Sequence, residues 1–97
     1  MYVQWNVRLE WDEAKRLTNL AKHGLDFVDA EKVFEGETVE VEDTREDYGE
    51  DRFLTFGLLG DEVVVIANVL RGDAIRIISM RKGLKHEQEF YFESIWH

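Results

Sequence analysis

The sequence predicts one α+β domain, a mainly antiparallel β-sheet with helices packed on it in the order β-α-α-β-β-β-β-α. Its 97 residues are enough for one hydrophobic core and too few for two. Two segments of helical periodicity follow a first strand-like segment. The later apolar segments are joined by very short turns, which antiparallel neighbours permit and parallel ones do not. We expect the helices to lie on one face of this sheet.

The first strand is predicted to end at Trp11, and a helix to begin directly after it. Alternate residues of this strand are apolar, namely Val3, Trp5, Val7, Leu9 and Trp11. Asp12 suits the N-cap of the helix, and Gly24 suits the residue that ends it. The apolar residues expected to form the buried stripe of this helix are Ala14, Leu17, Leu20 and Ala21.

A second helix is predicted between Asp26, as its N-cap, and Gly36. Its apolar stripe consists of Phe27, Ala30, Val33 and Phe34. After Thr38 the period changes to two, because valines alternate with glutamates at 39–42, and a short strand is expected there. The polar residues 43–51 are expected to form a loop.

Three further strands and a terminal helix complete the predicted fold. The strands cover residues 53–59, 62–69 and 74–80. Gly60-Asp61 and residues 71–73 are the turns between them. The middle strand is apolar and β-branched without alternation, which is typical of a central strand buried on both faces. The helix covers 84–96 and is expected to place Leu84, Tyr91 and Ile95 on one face.

The formal net charge of −9 is unevenly distributed. Residues 35–51 contain nine carboxylates and one arginine, a local charge of −8. Residues 71–86 contain five cations and one aspartate, a local charge of +4. An acidic average counts against a generic nucleic-acid-binding protein. Patches separated by more than a Debye length, about 10 Å at 0.1 M salt, nevertheless act independently.

Several classes of site are excluded by composition. The chain has no cysteine, which excludes disulfides and thiolate chemistry. Its three histidines include no pair four residues apart, so we expect no structural zinc. The chain has no GxGxxG, Walker or HExxH motif, and no other metal or cofactor is expected. The first residues resemble neither a signal peptide nor a membrane span, and the cytoplasm is the expected location.

Cations near the end of the predicted fifth strand are the first candidate site residues. Arg76 is expected on the strand face opposite Ile75 and Ile77, with Arg81 and Lys82 just beyond the strand. Arginine can bind a phosphate through two parallel N–H groups and stabilise charge on phosphorus. Ion pairs with the many carboxylates of the chain are the alternative, and on residue types alone the more common one.

Two other groups of residues could take part in proton transfer. Glu50 and Arg52, two positions apart, are expected on one face as a base beside a cation, or simply as an ion pair. His23, next to Lys22 at the end of the first helix, could exchange a proton near neutral pH. A histidine at that position can equally serve only to complement the helix dipole.

Three segments together resemble the BrnT-type toxins of bacterial type II toxin–antitoxin systems. WDEAKRLTNLAKHGLDF at 11–27 resembles the N-terminal signature of that family. YGEDRFLTFG at 48–57 resembles its middle motif, and RGDAIRIISMRKGLKHEQEFY at 71–91 its C-terminal motif. The segments occur in the same order and span most of the chain.

The resemblance implies a RelE-like fold and a ribonuclease that inhibits translation. In related toxins the ribose 2′-hydroxyl attacks the adjacent phosphate without a metal, and cationic side chains stabilise the charge that develops. The resemblance also implies a cognate BrnA-like antitoxin that keeps the toxin inactive. Operator DNA would be bound only through that antitoxin, in a heterotetramer that contains two toxin chains.

The resemblance further implies roles for particular residues. Arg52 and Arg81 are expected to stabilise the phosphate, and His23 and Glu50 to move protons. The expected substrate contacts are Lys22, Arg76 and Lys82. A different hypothesis is a non-catalytic or degenerate module of the same fold, which docks a basic partner protein through the acidic residues 35–51. A third, that these acidic residues mimic nucleic acid, has less support, because runs of charge are usually solvated loops.

Overall fold

The computed structural model describes residues 8–96 and shows five strands in one sheet. The strands are β1 (Arg8–Trp11), β2 (Val39–Glu42), β3 (Arg52–Leu59), β4 (Glu62–Arg71) and β5 (Ala74–Lys82). The helices are α1 (Glu13–His23), α2 (Ala30–Glu35), which follows a 3₁₀ turn at Phe27–Asp29, and α3 (Lys85–Ile95). The predicted element order is confirmed. Residues 3–7 of the predicted first strand lie outside the described residues.

The sheet has the strand order β1-β5-β4-β3-β2 and is mainly antiparallel, as predicted. The β1–β5 pair is parallel, and the other three pairs are antiparallel. Hairpin turns at Gly60-Asp61 and Gly72-Asp73 join the central strands. Gly60 and Gly72 have φ angles of 63° and 61°, which glycine adopts at little cost. No helix in the described part of the chain is long and apolar enough to cross a membrane.

The helices cover both faces of the sheet, which corrects the expectation of a single covered face. Val64 and Ile66 of β4 pack with the 3₁₀ turn and α2, whose stripe of Phe27, Ala30, Val33 and Phe34 is confirmed. Val63 and Val65 point to the opposite face and pack with Tyr91 of α3. A strand that is apolar at successive positions needs cover on both sides, because its side chains alternate between faces.

The first and last helices differ from prediction in what they bury. Asp12 caps α1 by accepting from the backbone N–H of Lys15, and Gly24 ends it with φ 70°, both as predicted. Most of the predicted apolar stripe does not face the core, however: Ala14 and Ala21 are exposed and Leu17 is 53% exposed, and only Leu20 is half-buried. Leu84 likewise lies outside the core, at the N-cap of α3.

A polar residue, Asn19, holds α1 against the sheet. Its side-chain Nδ2 donates to the carbonyl of Met80 at 2.8 Å, and the Met80 N–H donates to Asn19 Oδ1 at 3.0 Å. The strand β1 pairs with β5 only as far as Ile77. Beyond that point the outer edge of β5 has no neighbouring strand among the described residues, and the carboxamide takes the place of one. The one buried residue of α1 is therefore polar, because its side chain completes a sheet edge.

The strand β5 is longer than predicted and contains a bulge. Arg81 and Lys82, expected beyond the strand, are its last two residues. Ser79 pairs with Ala67 of β4 and Ile77 pairs with Asn68, so Ile78 is the extra residue. Arg76 and Arg81, five positions apart, would face opposite sides of a regular strand. The bulge brings both to the face that carries Val65 and α3.

We expect Asn19→Ala to lower the free energy of unfolding by about 2 to 4 kcal/mol, because the N–H and C=O of Met80 lose their partner at a buried edge. Urea unfolding followed by circular dichroism measures this. Thr18→Ala is the matched control, since the Thr18 hydroxyl bonds only within its own helix, to Ala14 O. Equal stability of the two variants would contradict the role given to Asn19.

We expect Gly57→Ala to destabilise the protein by about 1 to 3 kcal/mol through overpacking. A Cβ at Gly57 would lie 2.7 Å from Cγ1 of Val33, between β3 and α2. Gly36→Ala is the control, because its Cβ meets nothing closer than 3.7 Å. Adding Val33→Ala to Gly57→Ala should cost less than the sum of the two single changes, as thermal unfolding can show. Strict additivity would contradict the contact.

Candidate active site

The structure divides the predicted site residues into two groups. Lys22, His23, Arg81 and Lys82 line one cleft of about 520 Å³, together with Leu84. The cleft lies where the last turn of α1 meets the end of β5 and the start of α3. The second group, centred on Glu50, lies at the other end of the central strands. Sequence reasoning named all of these residues but did not predict which of them meet.

Arg81 is held by Glu87, a residue in the first turn of α3. Arg81 Nη1 and Nη2 donate to the two carboxylate oxygens of Glu87 at 2.7 and 2.9 Å. Glu87 Oε1 also accepts from the backbone N–H of Leu84 at 2.8 Å. These hydrogen bonds raise the pKa of Arg81 above its ordinary value and lower the pKa of Glu87. The start of α3 therefore fixes the orientation of the guanidinium.

The contact with Glu87 occupies only one edge of the Arg81 guanidinium. It uses the end formed by Nη1 and Nη2, and Nη1 also approaches the carbonyl of Lys82 at 3.3 Å. The edge formed by Nε and Nη2 makes no further hydrogen bond within residues 8–96. Two parallel N–H groups on such an edge match two oxygens of a phosphate. Arg81 thus combines a fixed position with a free binding edge.

The other residues of the cleft differ in their partners. Lys82 Nζ lies 3.2 Å from Glu62 Oε2, but the two side chains are 62% and 59% exposed. An exposed pair of this kind is worth little and opens readily. Lys22 is exposed and forms no ion pair with any described residue, while His23 is half-buried beside it. The cleft therefore offers cations and an imidazole, and no carboxylate lines it.

The second group is an ion cluster around Glu50. Its two oxygens lie 3.6 Å from Arg52 Nε and 3.6 Å from Arg71 Nη2. The ring of Tyr48 lies under the Arg52 guanidinium, with Cζ 4.1 Å from the ring centroid. Arg52 Nε is buried and has no hydrogen bond within the described residues. Glu50 forms ion pairs with both Arg52 and Arg71, whereas the sequence indicated only the pair with Arg52.

Strand register gives the separation between the two groups. Arg52 and Arg76 both pair with Val69 of β4, one from each side, whereas Arg81 pairs with Val65. All three arginines share one face of the sheet. From the spacing of residues and strands, Arg52 and Arg81 are about 16 Å apart at their Cα atoms. Arg76 lies on the same strand as Arg81, and its Nη1 donates to Glu10 Oε2 at 3.1 Å.

The acidic loop 43–51 is ordered by a buried carboxylate that the sequence did not single out. Asp43 accepts from Arg45 Nε and Nη2, both at 2.7 Å, and from the Tyr48 hydroxyl at 3.3 Å. These bonds, with Arg45 the largest contributor, lower the pKa of Asp43 to about 2. The acidic residues that remain exposed around it are Glu40, Glu42, Glu46, Asp47 and Asp51.

Sequence reasoning also missed Asn19 and Glu87 as residues that shape the cleft. Asn19 lies on the polar side of α1, and hydrophobic periodicity gives such positions no weight. Glu87 occupies the third position of α3, where a glutamate that accepts from the N-cap N–H is a recognised pattern. That pattern could have indicated a fixed carboxylate near Arg81.

Comparison with known proteins agrees with this fold. Residues 11–87 match the family model described as the ribonuclease toxin BrnT of type II toxin–antitoxin systems. The 1.1 Å crystal structure of the Brucella abortus ribonuclease toxin BrnT is 31% identical. That match covers 82% of this chain and 100% of the Brucella chain, with a TM-score of 0.62. A search of curated proteins finds no match.

The family match spans well over half of the chain and includes both groups of candidate residues. The structural match agrees with the α+β architecture. Its identity of 31% is high enough to indicate a shared family and not only a shared fold. The chain therefore belongs to the BrnT family of ribonuclease toxins of type II toxin–antitoxin systems.

Proposed function

We propose that this protein is an endoribonuclease toxin whose active site is the cleft between α1 and the end of β5. The observation that carries the proposal is the set of groups in that cleft. A fixed arginine with a free edge, two lysines and a histidine surround one space without a carboxylate lining it. Such a set suits a phosphodiester, because it can neutralise the developing charge and exchange a proton.

The proposed reaction is attack of a ribose 2′-oxygen on the adjacent phosphorus. The bond from phosphorus to the 5′-oxygen breaks, which leaves a 2′,3′-cyclic phosphate and a 5′-hydroxyl. The free edge of Arg81 binds the phosphate oxygens as their charge increases, and Lys22 and Lys82 add positive charge nearby. His23 accepts the proton that the 2′-hydroxyl loses and returns a proton to the departing 5′-oxygen. None of these steps requires a metal ion.

Arg52, Arg76 and Glu50 take a different part in this proposal. The Cα atoms of Arg52 and Arg81 are about 16 Å apart. Arg52 is also engaged by Glu50 and Tyr48 at its own end of the sheet, so we assign it to a different phosphate from Arg81. Arg52 and Arg76, on the same sheet face, contact RNA phosphates away from the scissile one. Glu50 as a proton-transfer group stays a prediction, and Glu50→Gln tests it, because a large loss of kcat is expected only if Glu50 acts on the reacting atoms.

The biological role follows from the family and is part of the proposal. RNA cleavage in the cytoplasm inhibits translation until a BrnA-like antitoxin binds the toxin. Operator DNA is bound through the antitoxin, in a heterotetramer with two toxin chains. The exposed carboxylates of the 35–51 segment suit contact with a basic antitoxin, because complementary charge speeds association.

We expect Arg81→Ala to reduce kcat/KM for RNA by about 100- to 1000-fold, since one oriented donor group at a developing anion is typically worth that much. Arg81→Lys should restore little, because a lysine lacks the paired N–H edge. Cleavage of a labelled RNA oligonucleotide measures both. Arg8→Ala is the control, because Arg8 forms an exposed ion pair with Asp73 away from the cleft. Unchanged cleavage by folded Arg81→Ala would overturn the assignment of Arg81.

A non-catalytic binding module is the second candidate function. The ordering of the acidic loop by Asp43 and Arg45 favours it, because it presents exposed carboxylates on a fixed backbone. Expression of the chain without a partner separates the two functions. Strong growth inhibition that depends on Arg81 supports the enzyme. Harmless expression together with tight binding of a basic antitoxin supports the module.

We expect the triple change Glu40→Gln, Glu42→Gln and Glu46→Gln to slow association with a basic antitoxin and to weaken its salt dependence. Surface plasmon resonance at several salt concentrations measures this. RNA cleavage by the free variant should stay at the wild-type rate. The control removes three exposed charges elsewhere, through Glu31→Gln, Glu89→Gln and Glu93→Gln. Equal slowing by the two variants would show that only the net charge matters.

A further inference from the structure

We infer that the groove between α1 and the free edge of β5 binds the phosphate backbone of single-stranded RNA, with Lys15 as the principal contact. This inference rests on the proposed function and extends it from the scissile phosphate to a neighbouring one. The groove is separate from the Arg52–Arg76 surface. It was not indicated by the sequence, which did not single out Lys15.

The groove is a second cleft that continues the first. It has a volume of about 310 Å³, and Lys15, Lys22, His23 and Ser79 are among its lining residues. Lys22 and His23 line the active-site cleft as well, so a single chain can pass from one cleft into the other. Asn19, bonded to Met80, forms its floor and keeps α1 and β5 at a fixed distance.

The charge of the groove is opposite to that of the protein. The chain carries 21 acidic and 12 basic residues, yet no carboxylate lines either cleft. Lys15 and Lys22 are seven residues apart, so they lie on one side of α1, about 10 Å from each other along its axis. Their positions favour an extended polyanion that runs parallel to α1.

Lys15 has no structural partner that explains its position. Lysines on helices commonly pair with a carboxylate three or four residues away, as Lys32 does with Asp29 at 3.4 Å. Asp12, three residues before Lys15, accepts from the backbone N–H of Lys15 rather than from its ammonium. No ion pair of Lys15 occurs anywhere in the described range 8–96. Its charge is therefore available to a ligand.

The charged groups that line the groove favour a nucleic-acid backbone over a protein. Protein interfaces are normally anchored by large aromatic side chains, whereas the residues that line this groove include Lys15 and Lys22 but no Phe, Tyr, Trp or carboxylate. The Ser79 hydroxyl supplies a further donor for a phosphate oxygen. Phosphate contacts from lysine and hydroxyl groups position a nucleic acid without reading its bases. We therefore assign the groove to the backbone of RNA on one side of the scissile bond.

The test is binding of an RNA oligonucleotide in which every 2′-hydroxyl is methylated. Such an RNA keeps its phosphates but cannot be cleaved by 2′-oxygen attack, so fluorescence anisotropy reports binding alone. Lys15→Ala should weaken binding about fivefold at 0.1 M salt and lower the slope of log K against log salt by about 0.7. Lys32→Ala is the matched control and should change neither quantity.

Cleavage kinetics provide a second measurement. Lys15→Ala should raise KM for unmodified RNA and leave kcat close to the wild-type value, because the contact is made equally in the ground and transition states. Equal effects of Lys15→Ala and Lys32→Ala on binding and its salt slope would overturn the inference. If the wild type does not cleave RNA but binding still depends on Lys15 and not on Lys32, the proposed function fails and the groove assignment stands.

Discussion

The pairing of Asn19 with Met80 is the interaction on which the candidate site depends. The strand β1 ends before the last part of β5, which therefore has no neighbouring strand on that side among the described residues. Without a partner, the backbone N–H and C=O groups of this edge would bind water or another chain. One carboxamide satisfies both groups of Met80 and thereby fixes α1 beside the edge. The last turn of α1 then brings Lys22 and His23 to Arg81 and Lys82. The same contact opens the groove that Lys15 lines.

The acidic composition and a phosphate site are compatible because the charges are segregated by secondary structure. Most carboxylates of 35–51 lie on the edge strand β2 and on the following loop, which Asp43 and Arg45 hold; Glu35 ends α2 and Glu37 precedes β2. The cations of the two clefts, Lys15, Lys22, Arg81 and Lys82, lie on α1 and β5 towards the other edge of the sheet. Glu87 holds Arg81 from the start of α3 without lining the cleft, because it binds the end of the guanidinium and leaves the Nε–Nη2 edge free. The net charge of −9 therefore describes neither surface.

Sequence patterns predicted most of the fold because turns, caps and the period of apolar residues are local properties. Sequence patterns failed where contacts between distant segments determine which face of an element is buried. The apolar residues of α1 predicted its buried face wrongly, since an unpaired strand edge selected Asn19 instead. The bulge at Ile78 cannot be seen in β5 alone, because it exists only relative to β4, and it decides that Arg76 and Arg81 share a face. The candidate residues could be named from residue types and motifs, but their division into two groups needed the strand register.

The most direct test of the account is the chemistry of the cleavage products. Purified protein should cleave a defined single-stranded RNA in the presence of excess EDTA, and mass spectrometry of the fragments should identify their ends. Attack by the 2′-oxygen in a cleft of cations predicts 2′,3′-cyclic phosphate and 5′-hydroxyl termini, formed at the same rate with and without the chelator. Products with 3′-hydroxyl and 5′-phosphate ends, or activity that disappears with EDTA, would contradict it.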